Sequence, residues 1–393
     1  MKAGWITKPL GELCDVIGGG TPPKDRPDYY GGEIPWATVR DMRTDIITST
    51  EHSITKEAVK ASATNIIPAG NVVIATRVGL GKVCLLGQDT GVNQDLRGIV
   101  PKSNKVIDVN FLFAWLKSIS EQIIAEGTGA TVQGVKLPFI KGLAVPFPEM
   151  EEQRRIVTLL DEAFADIATA KANAEKNLQN ARELFDSHLD ASFGQRNESW
   201  TEKALQDIGS TQTGSTPKTS DQANYGKLLP FIKPGDFAPD GTLDYENDGL
   251  SAQGADSARK VSANSVLMVC IGATIGKCGY ADREIATNQQ INAFTPEAGI
   301  DKKFIYYQML TKRFQDRVIH GSGQATLPII NKSKWSALTV FLPATLEEQE
   351  AIAEKLDAIR EKTQRLEVIY RQKLTALDDL KKSLLYQAFS GQL

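Results

Sequence analysis

The segment Gly272-Ala-Thr-Ile-Gly-Lys277-Cys278 comes nearest to a catalytic signature. A phosphate-cradling loop needs four residues between its glycines and a Ser or Thr after the lysine, so that backbone N–H groups and a hydroxyl meet phosphate and metal. Here three residues intervene and Cys278 follows, so the segment is not read as a nucleotide site. His52, His188 and His320 are scattered, and His188 lies in a helical stretch as a surface imidazole. Cys14, Cys84, Cys270 and Cys278 lack CxxC spacing and have no nearby histidine, so no metal site is expected and four reduced thiols are. A G-x-S-x-G elbow, a dinucleotide glycine fingerprint and an Asn/Asp-Pro-Pro-Tyr/Phe methyltransferase signature are all absent. No catalytic residue is assigned, and the chain is read as a non-enzyme.

What remains is polar, basic and borne on glycine-rich stretches that occur twice. Gly18-Gly-Gly-Thr-Pro-Pro-Lys24, Thr38-Val-Arg-Asp41, Arg77-Val-Gly-Leu-Gly-Lys82, Val92-Asn-Gln-Asp-Leu-Arg97 and Gly127-Thr-Gly-Ala-Thr131 form the first set. Gly214-Ser-Thr-Pro-Lys218, Lys233-Pro-Gly-Asp236, Gly272 to Lys277, Thr287-Asn-Gln-Gln290 and Gly321-Ser-Gly-Gln-Ala-Thr326 answer it. Small residues let backbone approach a polyanion, Lys and Arg neutralise phosphates, and Asn, Gln and Arg pair bidentately with base edges. The alternative for Asn93 and Asn288 is a buried amide that braces a turn.

The elements that carry these loops are set by an internal repeat. A shift of 195 residues lays Trp5 on Trp200, Gly19, Thr21 and Pro22 on Gly214, Thr216 and Pro217, and Tyr30 on Tyr225. The same shift pairs Asp41 with Asp236, Gly81-Lys82 with Gly276-Lys277 and Asn93-Gln94 with Asn288-Gln289. Beyond Pro148/Pro343 the shift becomes 196, so Glu152-Gln153 meet Glu348-Gln349 and Asp161 meets Asp357. Boundaries follow at 1–148 and 195–343 for two globular parts, and at 149–194 and 344–393 for two tails.

The tails read as long helices. Ile156, Leu160, Ala163, Ile167, Ala170, Ala174, Ala181 and Leu184 recur in steps of three and four, as do Ile352, Leu356, Ile359, Leu366, Tyr370, Leu377 and Leu384. Thr345 with Glu348 suggests a capping box, and Gly194 and Gly391 suit the ends. Each helix could extend roughly 65 Å. The globular parts read as mixed α/β (α+β), with buried strands over Ile66–Thr76 and Ser265–Ile271 and helices over Phe111–Ala125 and Phe304–Ile319. The expected fold is therefore two α/β domains in pseudo-twofold tandem repeat, separated by two long antiparallel coiled-coil helices.

The Trp with G-x-T-P, the G-x-x-x-G-K stretch before Asn-Gln, the G-[TS]-G…A-T segment before a helix and the P…E-E-Q…I…L-D entry into a long helix occur twice and in order. This double set resembles the specificity subunit of type I DNA restriction–modification systems over essentially the full chain. The resemblance implies that each globular part is a target-recognition domain reading one half of a split, asymmetric sequence in double-stranded DNA. It implies that the helices space the half-sites and dock two methyltransferase subunits, with restriction subunits completing the complex. AdoMet, ATP and Mg would then sit on those partners and no cofactor on this chain. On that basis Lys24, Arg40, Arg77, Lys82, Lys218, Lys233 and Lys277 are expected at phosphates. Arg43, Gln94, Arg97, Gln289 and Gln324 are expected at bases. Ile156, Leu160, Ile167, Ile352, Leu356 and Ile359 are expected to form the spacer and docking helices. Pseudo-twofold readers on one face of DNA put half-site centres about one helical turn, roughly 10 bp, apart.

Net charge is −3 over 393 residues, which taken whole argues against a nucleic-acid binder. Divided by the repeat it becomes +2 for residues 1–148, −5 for 149–199, +1 for 200–343 and −1 for 344–393. Two slightly basic domains are thus masked by an acidic first tail, and partner subunits are expected to supply much of the phosphate grip. Neither a membrane-spanning apolar run nor a signal peptide is read, so a cytoplasmic location is expected. The competing class is a protein-binding scaffold with two modules on a coiled-coil spacer. Steep salt dependence of DNA binding separates the two.

Overall fold

The computed structural model describes residues 4–128, 134–194, 199–238, 241–323 and 327–393. Its contacts divide the chain into two compact units, one of Met1–Ala174 with Gln372–Leu393 and the other of Glu175–Arg371. Each unit therefore takes one globular part, one stretch of the first long helix (Met150–Gly194) and one stretch of the second (Leu346–Ser390).

In the first unit a sheet orders its strands Cys14–Gly18, Leu96–Pro101, Val72–Ala75, Val83–Leu86 and Ile46–Ile47. A second sheet orders them His52–Ile54, Tyr30–Ala37, Thr90–Val92 and Ile66–Ile67. Side chains alternate across a strand with period two, and Val72–Ala75 is buried on both faces. Val72 and Ile74 enter the core beneath the helices, whereas Val73 and Ala75 enter the core between the sheets. Val266–Val269 repeats this division in the second unit, with Val266 and Met268 on one side and Leu267 and Val269 on the other. The second unit has the same two larger sheets in matching order, but among the described residues its first sheet has four strands and no counterpart of strand Ile46–Ile47. Among the described residues there, Phe237 and Leu243 form an isolated antiparallel bridge.

Three local expectations change. The stretch Ile66–Thr76 is two strands, Ile66–Ile67 and Val72–Ala75, because Gly70 turns the chain between them at φ +76°. Both expected domain helices break in two, Val109–Ser118 with Ser120–Ala125 and Lys302–Leu310 with Lys312–Ser322. At the second break the Thr311 hydroxyl donates to Gln308 O and accepts from Phe314 N, ending one helix and capping the next. The Thr345–Glu348 box is only half made: Thr345 Oγ1 accepts from Glu348 N, while the Glu348 carboxylate accepts the Trp200 indole N–H at 3.0 Å.

The repeated Glu-Gln pair has a positional reason. Gln153 is fully buried, accepts from Asp108 N at 2.8 Å and donates to Val106 O and Pro148 O, tying the long helix to the start of helix Val109–Ser118. Gln349 does the same with Asp301 N and Gly299 O. Ile156 and Leu160 pack into the first unit's core beside Leu385 and Ala388 from the second long helix, and Phe389 meets Phe111 edge-on at 5.1 Å. In the second unit Phe193 packs on Phe304 at 5.2 Å and on Trp200 at 6.4 Å, with Leu356 in the same core.

Candidate nucleic-acid interface

In the first unit the Arg77–Lys82 segment forms the turn that joins strands Val72–Ala75 and Val83–Leu86, and two further sequence-identified segments meet it. Arg77 Nε lies 3.7 Å from Asp95 Oδ1, and Thr76 N donates to Asp95 O, so the turn sits beside the Asn93–Arg97 loop. Lys82 Nζ reaches Met42 O at 3.4 Å, so it also touches the loop after Tyr30–Ala37. Val135 N donates to Thr76 O, so the entry to helix Leu137–Gly142 also meets the turn. The second unit repeats the arrangement. Lys277 Nζ reaches Phe237 O at 3.4 Å, Cys270 N donates to Gln290 O, and Gly272 N donates to Pro328 O.

The loops are held by the residues the repeat keeps. Thr21 Oγ1 donates to Gln94 Oε1, and Thr216 Oγ1 donates to Gln289 Oε1 at 2.6 Å, clasping the G-x-T-P segment to the Asn-Gln segment in both units. Tyr30 and Tyr225 donate their hydroxyls to Pro22 O and Pro217 O. A Cβ at Gly19 would fall 2.0 Å from Asn93 O, and one at Gly214 2.3 Å from Asn288 O, so only glycine allows this approach. Asn93 Oδ1 accepts from Asp95 N and Asn288 Oδ1 from Gln290 N, so these amides brace their turns, as the alternative reading has it.

The expected contact residues then separate by environment. Lys24, Arg40 and Lys218 are exposed and make no ion pair among the described residues. Arg43 is exposed and donates Nε to Arg40 O. Gln94 and Gln289 are exposed, with Oε1 committed to the clasp. Arg97 is half-buried opposite Gly18, and its Nε is buried with no acceptor among the described residues. Lys233 is drawn back to Asp248 at 2.7 Å and over the Phe231 ring. Gln324 lies outside the described residues.

On the helices, Ile156, Leu160, Ile167 and Leu356 are buried and Ile352 and Ile359 half-buried. Ile156 and Leu160 enter the first unit's core, and Ile352 and Leu356 the second unit's, so these side chains serve this chain's own packing.

Lys117 was not legible as a site residue, because it sits in the last turn of an ordinary amphipathic helix. With Arg43 and Lys82 it lines an open concavity of about 230 Å³, together with Asp45, to which it is paired at 2.6 Å. Cys84 lines the same concavity, but burial, then Asp45, pushes its thiol up to about 11, so it is no nucleophile. The second unit carries instead a brace. Arg360 Nη1 donates to the Tyr306 hydroxyl at 2.7 Å, and a Cβ on Gly241 would lie 2.2 Å from that same oxygen. Gly241 thus rests on a hydroxyl held by the long helix. Tyr307 donates to Asp357 at 2.5 Å beside it.

Among the described residues no cluster of His, Cys, Asp or Glu could hold a metal, and no helix is long and apolar enough to cross a membrane. The arrangement can place glycine-lined backbone, exposed cations and amide donors together at one end of each domain's sheets.

The chain matches the family described as Type I restriction modification DNA specificity domain twice, over residues 2–178 and 197–375. It is 28% identical over 247 residues to the type I restriction enzyme MjaIX specificity subunit of Methanocaldococcus jannaschii, covering 58% of this chain and 57% of that protein. It is 32% identical over 200 residues to the HindI specificity subunit of Haemophilus influenzae, covering 49% and 42%. These matches thus span about half the length of each relative. Its fold is similar to that of a chain in a solved structure described as the structural basis of complex assembly and conformational transition of the type I R-M system. That superposition has a TM-score of 0.82 at 20% identity, over 100% of this chain and 99% of the other. It is also similar to the HsdS subunit from Thermoanaerobacter tengcongensis, with a TM-score of 0.63 at 18% identity over 100% and 98%.

Proposed function

Because the chain belongs to the type I restriction modification DNA specificity family, with both halves carrying the domain, we propose that it reads a bipartite, asymmetric DNA sequence. Each globular domain takes one half-site, and the long helices set the spacing and dock two methyltransferase subunits. Restriction subunits complete the assembly, and AdoMet, ATP and Mg belong to those partners, so this chain supplies recognition and no chemical step.

The observation that carries the reading is the repeated loop cluster with unrepeated cations. Thr21–Gln94 and Thr216–Gln289 build the same clasp twice, so the scaffold is common. Around it Arg40, Arg43 and Arg97 of the first domain stand where the second has Gly235, Ala238 and Asn292. One scaffold with two different sets of donors reads two different half-sites, since base identity is read by side-chain donors and acceptors at the groove edge. Exposed Lys24, Arg40 and Lys218 supply phosphate contacts, which fix register without selecting sequence.

The test is a map of methylated positions in a host genome with and without this gene, alongside its methyltransferase. A gapped, non-palindromic motif that disappears with the gene is expected. A perfect palindrome, or methylation that persists without the gene, overturns the reading.

A further inference from the structure

The two long helices descend from one repeat, yet their facing residues have diverged in a consistent sense. In the first unit Lys171 Nζ pairs with Asp378 Oδ1 at 2.7 Å, and Lys381 Nζ lies 4.8 Å from the centre of the Phe164 ring. In the second unit Arg182 Nε pairs with Glu367 Oε2 at 3.2 Å, and Arg360 Cζ lies 5.9 Å from the centre of the Phe185 ring. Numbers rise along one helix as they fall along the other, so both pairings are antiparallel.

The 196-residue shift turns one set of contacts into the other. Lys171 falls on Glu367, Arg182 on Asp378, Phe164 on Arg360 and Phe185 on Lys381. Each contact therefore exists twice, and at these four pairs of repeat positions the two helices carry opposite or complementary groups. The first helix always supplies the cation of the ion pair and the ring of the cation–π pair. The second always supplies the carboxylate and the stacking cation. Size follows the same division, because Ala174 and Ala181 of the first helix stand at the repeat positions of Tyr370 and Leu377.

A duplicated helix would by default pair with its own copy in the same register. Such a pair of first helices would set Lys171 against Arg182 and Phe164 against Phe185, each contact occurring twice. A pair of second helices would set Glu367 against Asp378 and Arg360 against Lys381. Every attractive contact of the mixed pair thus becomes, in a like pair, a repulsion or the loss of its cation. Pairing specificity in helical coils arises in this way, from facing charges that reject the wrong partner as well as favouring the right one.

We propose that the two long helices form a mutually selective pair, in which each accepts the other and rejects a second copy of itself. The partner this surface fits is the opposite helix of the repeat, and the chain is directed to close on itself rather than join another chain like-to-like. The inference does not depend on what the loops bind. Individual exposed ion pairs add little stability. Selectivity depends instead on the difference between attraction and repulsion, summed over contacts that occur twice.

The test uses the full chain with a protease site placed between Gly194 and Ser199, folded, cut, unfolded in urea and refolded. Native mass spectrometry then counts assemblies of the N-terminal with the C-terminal half against assemblies of like halves. Mixed assemblies should exceed either like assembly by about tenfold or more, two repulsions replacing two attractions. The variant K171E/D378K reverses one ion pair, which stays attractive in the mixed assembly. It also makes the 171–182 contact of the first-helix pair and the 367–378 contact of the second-helix pair attractive, leaving only Arg360 against Lys381 repulsive in the latter, so like assemblies, of the N-terminal half above all, should appear while mixed ones persist. Free assortment in the wild-type chain, or a variant as selective as wild type, overturns the proposal. In the uncut chain K171E alone should lower the thermal midpoint and D378K added to it should restore it; failure to restore also overturns it.

Discussion

The Arg360–Tyr306 brace makes a sharp prediction for Tyr306→Phe. The substitution keeps the ring, which is 4% exposed, and removes only the hydroxyl. That oxygen accepts from the Arg360 guanidinium at 2.7 Å and has the backbone of Gly241 packed directly against it. Losing a hydrogen bond to a charged, half-buried donor costs about 1.5–3 kcal/mol. The cost should appear in the second unit only, because every group in the network lies within Glu175–Arg371. Hydrogen exchange reads this directly. Amides of Val266–Val269 and Cys278–Tyr280 should lose about tenfold or more in protection, 1.4 kcal/mol being a factor of ten. Those of Val72–Ala75 should be unchanged. On duplexes carrying single mismatches, discrimination in one half-site should fall while the other half-site and non-specific affinity hold, since the backbone at Gly241 would lose its support. The reasoning is refuted by unchanged protection in the second unit, by equal loss in both units, or by discrimination lost equally at both half-sites.

Two further outcomes are expected. All four cysteines are buried, and burial pushes Cys14 and Cys270 up to about 12, so native protein at pH 8 should resist alkylation and label fully only when unfolded; rapid labelling of any one in the folded protein would contradict this packing. Burial, then Asp190 and Glu183, raises the Asp186 carboxyl, so the folded state holds that proton more tightly than the unfolded state does. The stability it contributes is present below the ordinary aspartate range and is lost as pH rises through the raised value. Asp186→Asn should therefore be more stable than wild type at pH 7, by less than about 1 kcal/mol after solvent screening, with no advantage near pH 3 in denaturant titrations.

Much of this architecture was legible because it rests on patterns that survive duplication. The 195- and 196-residue shifts expose the repeat, and apolar spacing exposes the long helices. What periodicity could not show is where a helix changes partner. Leu184 continues the expected three-and-four spacing, yet it is 46% exposed. The buried stripe instead steps by four from Ala181 through Phe185 and Leu189 to Phe193, as the helix turns its side toward Tyr307, Phe304 and Trp200. Leu366 is similarly exposed on the second helix. Polar loop residues were harder, because composition does not separate a side chain that braces a loop from one that faces out. Gln94 and Gln289 look equally suited to either task, and the structure gives their carbonyl oxygens to Thr21 and Thr216. Lys233 reads as an exposed cation until the fold sets Asp248 against it, fifteen residues along the chain. Arg360 and Tyr306 were invisible for the same reason, since they meet only in three dimensions.

Phe389 against Phe111 has a consequence for how the chain is made. All strand pairings of the first domain are available once Phe147 has left the ribosome, yet its core also contains Leu385 and Ala388. The domain synthesised first must therefore wait, with Phe111 partly uncovered, until residues far downstream emerge. A ribosome that stalls anywhere in the second half leaves that apolar surface open to chaperones and proteases.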